Sequence, residues 1–348
     1  MTIAVYGANG YQGKLVAAEL ARQDLDLVMV GRDLTRLQDA AKAIGVPDTE
    51  LRQAATDDPT ALAAAFRGVD VVINCAGPFT SSGVAVVRAA VEAGCHYLDT
   101  AGEQLYLQRI FDTVSTEAER AGVTVVPAMT DGGVPGDLIA HLLAERLGPL
   151  EELTTAHLIT GNGEPPSRGS LRSGLVTLAD LRQGGLRYAD GVWTSGTPAG
   201  RTVMTFPGSA EPTPAVTFPL PEVVTVPRHV SVRRVLGVVE ESVAARLSGG
   251  VSADVVDGLP EGPTAEGRSS QRFTVLVEAV SITGRHARGV VTGADTYGTT
   301  AVIATEGARR LAGTTTTRGV LAPAQAFDPS GFLNSLAPHG VTWTITPA

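Results

Sequence analysis

Residues 5–14, which read VYGANGYQGK, place three glycines three positions apart between an apolar run and a segment with helical spacing. Glycine permits a tight turn and lets backbone amides approach a pyrophosphate, which then lies at the N-terminus of the following helix. The same spacing also occurs in ordinary turns, so the motif is informative only inside a strand–turn–helix unit. Because residues 3–6 and 12–22 supply that unit, the stretch predicts a dinucleotide site. The predicted contacts are Gly7, Asn9, Gly10, Tyr11, Gln12 and Gly13.

The segments that follow continue the same alternation. Apolar runs at 27–30, 69–75, 96–99 and 123–128, with a weaker one at 51–54, alternate with helical patterns. Such repeats predict an α/β fold with a doubly wound parallel Rossmann sheet. After Gly132, Val/Thr-rich strands between Gly/Pro-rich turns predict an inserted α+β domain with a mixed or antiparallel sheet. The predicted domains are 1–135, 136–295 and a C-terminal helical return, 296–348, that packs on the Rossmann domain. Within 136–295 the segment 195–221 is the hardest to place, with candidate strands at 202–206 and 215–218.

Composition narrows the class of protein. The 348 residues carry a net charge of −9, which argues against nucleic acid and anionic membranes as partners. Two cysteines are too few for a disulfide framework, and no apolar run approaches the roughly 20 residues of a membrane span. We therefore expect a cytoplasmic protein that acts on a small-molecule substrate. Exposed strands of the inserted domain leave a homodimer possible.

The end of the second predicted strand selects the cofactor. An acidic residue there would bind the ribose 2′-hydroxyl of NAD, whereas an arginine suits the 2′-phosphate of NADP. The sequence has Gly31-Arg32, with Asp33 one position later as a candidate helix cap. Arg32 therefore favours NADP over NAD. Asp57, after the third strand, is a candidate neighbour of the adenine, with a turn or cap role as the alternative.

Three loops at the carboxyl ends of strands are predicted to form the substrate site, because ligands of open α/β sheets lie there. The loop 75–79 would run beside the nicotinamide and supplies Cys75, Ala76, Gly77, Pro78 and Phe79. The other two loops, 99–103 and 129–137, follow the next two strands. Asp131 is the most suggestive carboxylate, since a glycine-rich loop exposes it at the domain junction; Tyr97 and Glu103 are the other predicted catalytic residues. A capping role competes for Glu103, and a buried apolar role for Cys75.

Absent residues restrict the chemistry. No tyrosine is followed four positions later by lysine, and no lysine occurs after Lys42. The acid–base pair of short-chain dehydrogenases is therefore missing, and no Cys/His spacing indicates a metal. A proton donor must be another acidic group or water. The open alternatives are Tyr106, Tyr188, Tyr297, His157 and His286.

In combination, the motifs GANGYQGK, CAGPF, AGCHYLDTAGE and TDGGVPGDL resemble saccharopine dehydrogenase-like oxidoreductases, a group that includes trans-acting enoyl reductases. The resemblance covers about 1–145 and 295–345. It implies a Rossmann domain, an inserted substrate domain and a nicotinamide cofactor. It also supports Gly7, Gly10, Gly13 and Arg32 as cofactor contacts, with Pro78 and Phe79 near the nicotinamide.

These features lead to one favoured function. We expect an NADPH-dependent reductase that transfers hydride to an activated C=C or C=N bond of a small metabolite. Reduction of ketones is disfavoured because the tyrosine–lysine pair is missing, and a nucleotide-sugar epimerase is disfavoured on the same ground. The alternative is a non-catalytic NADP-binding sensor or scaffold on the same fold.

Overall fold

The computed structural model of the protein describes residues 1–161, 164–182, 185–195, 200–248, 252–313 and 317–347. Its first part alternates strands with helices, as the sequence predicts. The elements are β1 (Thr2–Tyr6), α1 (Tyr11–Arg22), β2 (Asp26–Gly31), α2 (Leu34–Ala43), β3 (Glu50–Gln53), α3 (Pro59–Phe66), β4 (Val71–Asn74), α4 (Phe79–Glu92), β5 (His96–Asp99), α5 (Gln104–Ala121), β6 (Thr124–Val126) and α6 (Gly133–Leu147).

The first sheet confirms the predicted Rossmann topology. Its strand order is β3-β2-β1-β4-β5-β6, with one further short strand beside β6, and all pairings are parallel. The strands β4 and β6 are buried along their whole length, which explains their continuous apolar runs. The chain reverses direction across the sheet between β1 and β4, so the turns after these two strands border one crevice.

The inserted domain is built on a second, mixed sheet. Its elements are β7 (Leu150–Thr160), α7 (Arg168–Val176), α8 (Leu178–Arg182), β8 (Arg187–Ala189), β9 (Val192–Thr194), β10 (Arg201–Met204), β11 (Thr213–Thr217), α9 (Glu222–Thr225), β12 (Val232–Glu240), α10 (Glu241–Ser248), α11 (Ala253–Gly258), α12 (Ala265–Ser270), β13 (Arg272–Ser281) and β14 (His286–Ala294). Strand β7 pairs in parallel with β12 and antiparallel with β13. In the segment 195–221, the strands predicted at 202–206 and 215–218 correspond to β10 and β11, each shifted by one or two residues, and residues 196–199 lie outside the described part.

The C-terminal segment divides between both sheets. It contains α13 (Thr296–Ala312), β15 (Gly319–Val320), α14 (Pro323–Ala326), α15 (Pro329–Ser335) and β16 (Thr342–Pro347). Helix α13 packs on α1 of the first domain, and β15 extends the first sheet beside β6. Strand β16 instead pairs antiparallel with β14 in the second sheet. The segment therefore differs from an all-helical return on the Rossmann domain, because it also contributes one strand to each sheet.

The two sheets share a hydrophobic core through α6. Leu138 and Ile139 of α6 lie in one buried cluster with Ile3 and Val5 of β1 and with Phe273 of β13. The N-terminus of α6 follows directly on the loop after β6, at the carboxyl edge of the first sheet. This shared core holds the inserted domain over the carboxyl edge of the first sheet. The loops at that edge therefore face the inserted domain.

Candidate functional site

The glycine turn between β1 and α1 has the geometry that only glycine allows. Gly7 has φ +77°, and a Cβ there would lie 2.9 Å from the Cβ of Ala76. A Cβ at Gly13 would lie 2.2 Å from the Gly7 carbonyl oxygen, so α1 approaches the turn too closely for any side chain. The Gly10 amide donates to the Gly7 carbonyl at 2.9 Å. The turn is therefore a cradle of backbone into which a pyrophosphate fits.

A cavity of about 930 Å³ runs from this turn to the inserted domain. Most of the predicted cofactor residues line it, namely Gly7, Asn9, Gly10, Tyr11, Gln12, Arg32, Asp57, Cys75, Ala76, Gly77 and Phe79. Gly13 and Pro78 do not. Gly13 packs beneath the turn, and Pro78 occupies the position before the first residue of α4. Their roles are therefore to shape the backbone of the site.

Two arginines that follow β2 line the cavity, one in the turn after the strand and one in the first turn of α2. Arg32 lines it as predicted, and Arg36, which the sequence motifs did not indicate, lines it as well. Asp33 is the cap of α2, since its carboxylate accepts the Arg36 amide at 3.0 Å. Arg36 lies in the first turn of α2, directly after the Asp33 cap, and this position next to the end of β2 was the available signal. The pair provides two cations at the place where the 2′-phosphate of NADP would lie.

The loop after β4 contains Cys75, whose thiol is protonated, and leads into the first turn of α4. Burial raises the pKa of Cys75 to about 12, so the side chain is a small apolar group and not a thiolate nucleophile. The Glu103 carboxylate accepts the amide of Phe79 at 3.0 Å and the amide of Thr80 at 2.6 Å. Glu103 lines the cavity, but its oxygens are engaged by the first turn of α4. Its geometry supports the capping alternative.

Tyr97 lies away from the cavity. It is fully buried, and its hydroxyl lies 3.0 Å from both the Asn74 amide nitrogen and the Tyr106 hydroxyl. Tyr106 in turn donates to Asp99 at 2.7 Å. Burial, followed by the charge of Asp99, raises the pKa of Tyr97 well above its ordinary value. This position argues against Tyr97 as a direct proton donor, because a residue inside β5 packs under the adjoining helices rather than at the end of the strand.

Asp131 is the predicted catalytic residue that the geometry favours. It lines the cavity, is half-buried and accepts a hydrogen bond from the Thr300 hydroxyl at 3.1 Å. Burial raises its pKa to about 6, while the charge of His157 and the Thr300 hydrogen bond lower it. A carboxyl group with such a pKa exchanges protons near neutral pH.

Tyr297 is the only one of the five open alternatives that lines the cavity within the described residues. Its hydroxyl accepts the Ser167 amide at 2.8 Å, and its carbonyl accepts the Gln12 side chain at 3.1 Å. The Tyr11 hydroxyl donates to the Pro263 carbonyl at 2.5 Å, and Lys14 pairs with Glu261. The inserted domain and α13 therefore both hold the start of α1 in place.

Metal sites and membrane spans are both absent from the described ranges. These ranges contain no group of three or more His, Cys, Asp or Glu side chains arranged to hold a metal ion. Nor do they contain a helix whose length and apolar character would suit a membrane crossing.

Comparison with known proteins identifies the first domain. Residues 3–126 match the family model of the saccharopine dehydrogenase NADP binding domain. A lipid droplet localized protein of Caenorhabditis elegans is 30% identical over 184 residues, which are 49% of this chain and 42% of that protein. A trans-acting enoyl reductase of Mycobacterium tuberculosis is 30% identical over 148 residues, 41% of this chain and 35% of that enzyme. The chain thus matches less than half the length of these relatives.

Solved structures extend the likeness to the whole fold. An apo saccharopine dehydrogenase (L-Glu forming) of Saccharomyces cerevisiae superposes with a TM-score of 0.64 at 15% identity, covering 99% of both chains. A meso-dapdh mutant of Clostridium tetani gives a TM-score of 0.50 at 13% identity, covering 97% and 98%. At these identities the likeness shows the fold alone. The resemblance read from the sequence is confirmed: residues 3–126 are a saccharopine dehydrogenase-type NADP-binding domain, with NADP(H) as the cofactor.

Proposed function

We propose that the protein is an NADPH-dependent reductase that transfers hydride to an activated C=C or C=N bond of a small metabolite. The observation that carries the proposal is the continuous cavity of about 930 Å³, which joins the glycine turn to the inserted domain. Ligand pockets typically enclose roughly 300–1,000 Å³, so this one is at the large end. The inserted domain contributes polar and apolar walls beyond the cofactor cradle, among them Ser173, Leu186 and Phe218.

Different residues along this cavity would bind the parts of the cofactor and donate the proton. The turn 7–13 would hold the pyrophosphate, Arg32 and Arg36 the 2′-phosphate, and the loop 75–79 the nicotinamide. Bound NADPH supplies the hydride. Asp131, at the junction of the domains, would donate the proton that completes the reduction, on carbon for an alkene or on nitrogen for an imine. Thr300 would keep its carboxyl group oriented toward the cavity.

A substrate panel tests the proposal. We expect NADPH oxidation with one class among α,β-unsaturated acyl thioesters, enones and imines. Asp131→Asn should lower kcat by about 10²–10⁴-fold, the usual contribution of a positioned general acid, without changing the Kd for NADPH. The exposed Asp48 provides the matched control, and Asp48→Asn should leave both quantities unchanged.

Tight NADPH binding without oxidation across the panel would favour the non-catalytic sensor instead. A homodimer and a cytoplasmic location stay predictions, and chemical crosslinking and cell fractionation would test them.

A further inference from the structure

An ion pair between a partly buried histidine and a fully buried glutamate lies directly behind the loop that carries Asp131. The His157 Nε2 atom on β7 lies 2.6 Å from a carboxylate oxygen of Glu222, the first residue of α9. Glu222 is fully buried, and Thr155 donates to the same oxygen at 3.2 Å. The second carboxylate oxygen of Glu222 is buried without a hydrogen-bond partner. Burying a carboxylate in this way is costly, so the pair is not explained by stability alone.

The glycines of the loop are shaped around this pair. A Cβ at Gly132 would lie 2.3 Å from the Cε1 atom of His157. A Cβ at Gly136 would lie 2.1 Å from the nearer carboxylate oxygen of Glu222. The absence of side chains at these two positions brings the histidine and glutamate against the backbone that holds Asp131. Glycines in the sequence 130–137 are therefore required by space, because side chains there would clash with His157 and Glu222.

The charges of Glu222, His157 and Asp131 influence one another between the protein interior and the cavity. Burial opposes the charged form of His157, but the carboxylates of Glu222 and Asp131 outweigh it and raise the pKa of His157. The other charged group that acts on Asp131 is Asp295, the cap of α13, which is itself 3.6 Å from Arg268. An imidazolium held at this place favours the ionised form of Asp131 and opposes the effect of burial.

We propose that His157, held by Glu222, is a positioning residue that sets the protonation state of Asp131. The inference rests on the proposed function, in which Asp131 gives its proton to the substrate. His157 does not line the cavity, so it acts on the reaction only through Asp131. Glu222 keeps the imidazole charged and oriented.

The pH dependence of turnover tests the pairing. In His157→Asn the cation is lost, so Asp131 should retain its proton to higher pH. The pH at which kcat begins to fall should then move upward by about one unit, with KM nearly unchanged. Glu222→Gln should move it in the same direction, because His157 loses the partner that keeps it charged. The exposed His339 supplies the matched control, and His339→Asn should leave the profile in place.

A second readout does not depend on activity. The imidazole Cε1–H resonance of His157, followed by NMR in the full chain, should titrate above the ordinary histidine range in the wild type and at lower pH in Glu222→Gln. NADPH affinity and thermal unfolding would verify that each variant is folded. Folded variants whose pH profile and His157 titration are both unmoved would overturn the proposal. If the wild type proves inactive on every substrate, the proposed function fails while the NMR comparison still tests the coupling.

Discussion

At the scale of single residues, carboxyl groups around one site have different tasks because their surroundings differ. Glu103 accepts two backbone amides at the start of α4, whereas Asp131 faces the cavity with a threonine and a histidine nearby. Asp99 is fully buried and accepts hydrogen bonds from the amides of Ala101 and Ala128 and from Tyr106. It ties the loops after β5 and β6 together, so it shapes the site without reaching the cavity.

The buried Asp99 gives a pH prediction. Burial raises its pKa to about 6, whereas an aspartate in an unfolded chain titrates near ~3.9. The folded state thus holds the proton more tightly, and its contribution to stability is lost as pH rises between these values. A difference of about two units corresponds to roughly 3 kcal/mol. The side-chain oxygen of Asp99→Asn can still accept hydrogen bonds from the two backbone amides, but the side chain no longer titrates. The free energy of unfolding of the variant should therefore fall less between pH 4 and 7 than that of the wild type.

Urea titrations at several pH values measure the effect. The difference between variant and wild type isolates Asp99, because every other carboxyl group is common to both proteins. Parallel pH curves for the two proteins would contradict the assignment.

At the scale of elements, the loop after β6 and the strand β7 are fitted to each other. A Cβ at Gly132 meets the His157 ring, which Glu222 holds in place. Gly132→Ala should therefore destabilise the fold by about 1–3 kcal/mol, the usual cost of overpacking. Gly258, at the end of α11, serves as the matched control, because a Cβ there would have no atom within 4 Å. Gly258→Ala should be neutral or slightly stabilising.

Urea unfolding at one pH distinguishes the two glycine variants. The His157→Ala background provides a further check, since removal of the ring should relieve most of the cost of Gly132→Ala. An equal cost in both backgrounds would show that the loop is strained for another reason.

At the scale of the whole molecule, the shared core and the ties at α1 couple the domains. Both tryptophans, Trp193 and Trp343, lie in strands of the second sheet, whereas the cofactor cradle belongs to the first. NADPH at about 100 times its Kd should stabilise the protein by about 2.7 kcal/mol. Leu138 and Phe273 share one core cluster with Ile3, so we expect the two domains to unfold together. The free energy of unfolding followed by tryptophan fluorescence should therefore increase by the same amount.

Thermal unfolding followed by tryptophan fluorescence and by far-UV circular dichroism measures this coupling. Coincident transitions that shift together with NADPH are the expected outcome. A tryptophan transition that stays fixed while the circular dichroism transition moves would show that the domains unfold independently.

The first domain was predictable because its signals are local. Fully buried strands such as β4 appear as short apolar runs, and the glycine motif lies within ten consecutive residues. The strands β15 and β16 could not be predicted in the same way because pairing with distant strands decides them, although the alternation in TWTITP is a weak strand signal. Glu222 carries no local signal of its role, since it is 65 residues from His157. Only the fold brings them together.

The central claim is that the first domain binds NADPH through the arginines after β2. Fluorescence titration of the wild type and of Arg32→Ala with NADPH and NADH tests it most directly. We expect NADPH to bind more tightly than NADH, and Arg32→Ala to weaken NADPH by about 10–100-fold while leaving NADH unchanged, since a hydrogen bond to a charged group contributes roughly 1.5–3 kcal/mol. Arg120→Ala, at an exposed position near the end of α5, is the control. Equal loss of both cofactors, or no preference in the wild type, would contradict the account.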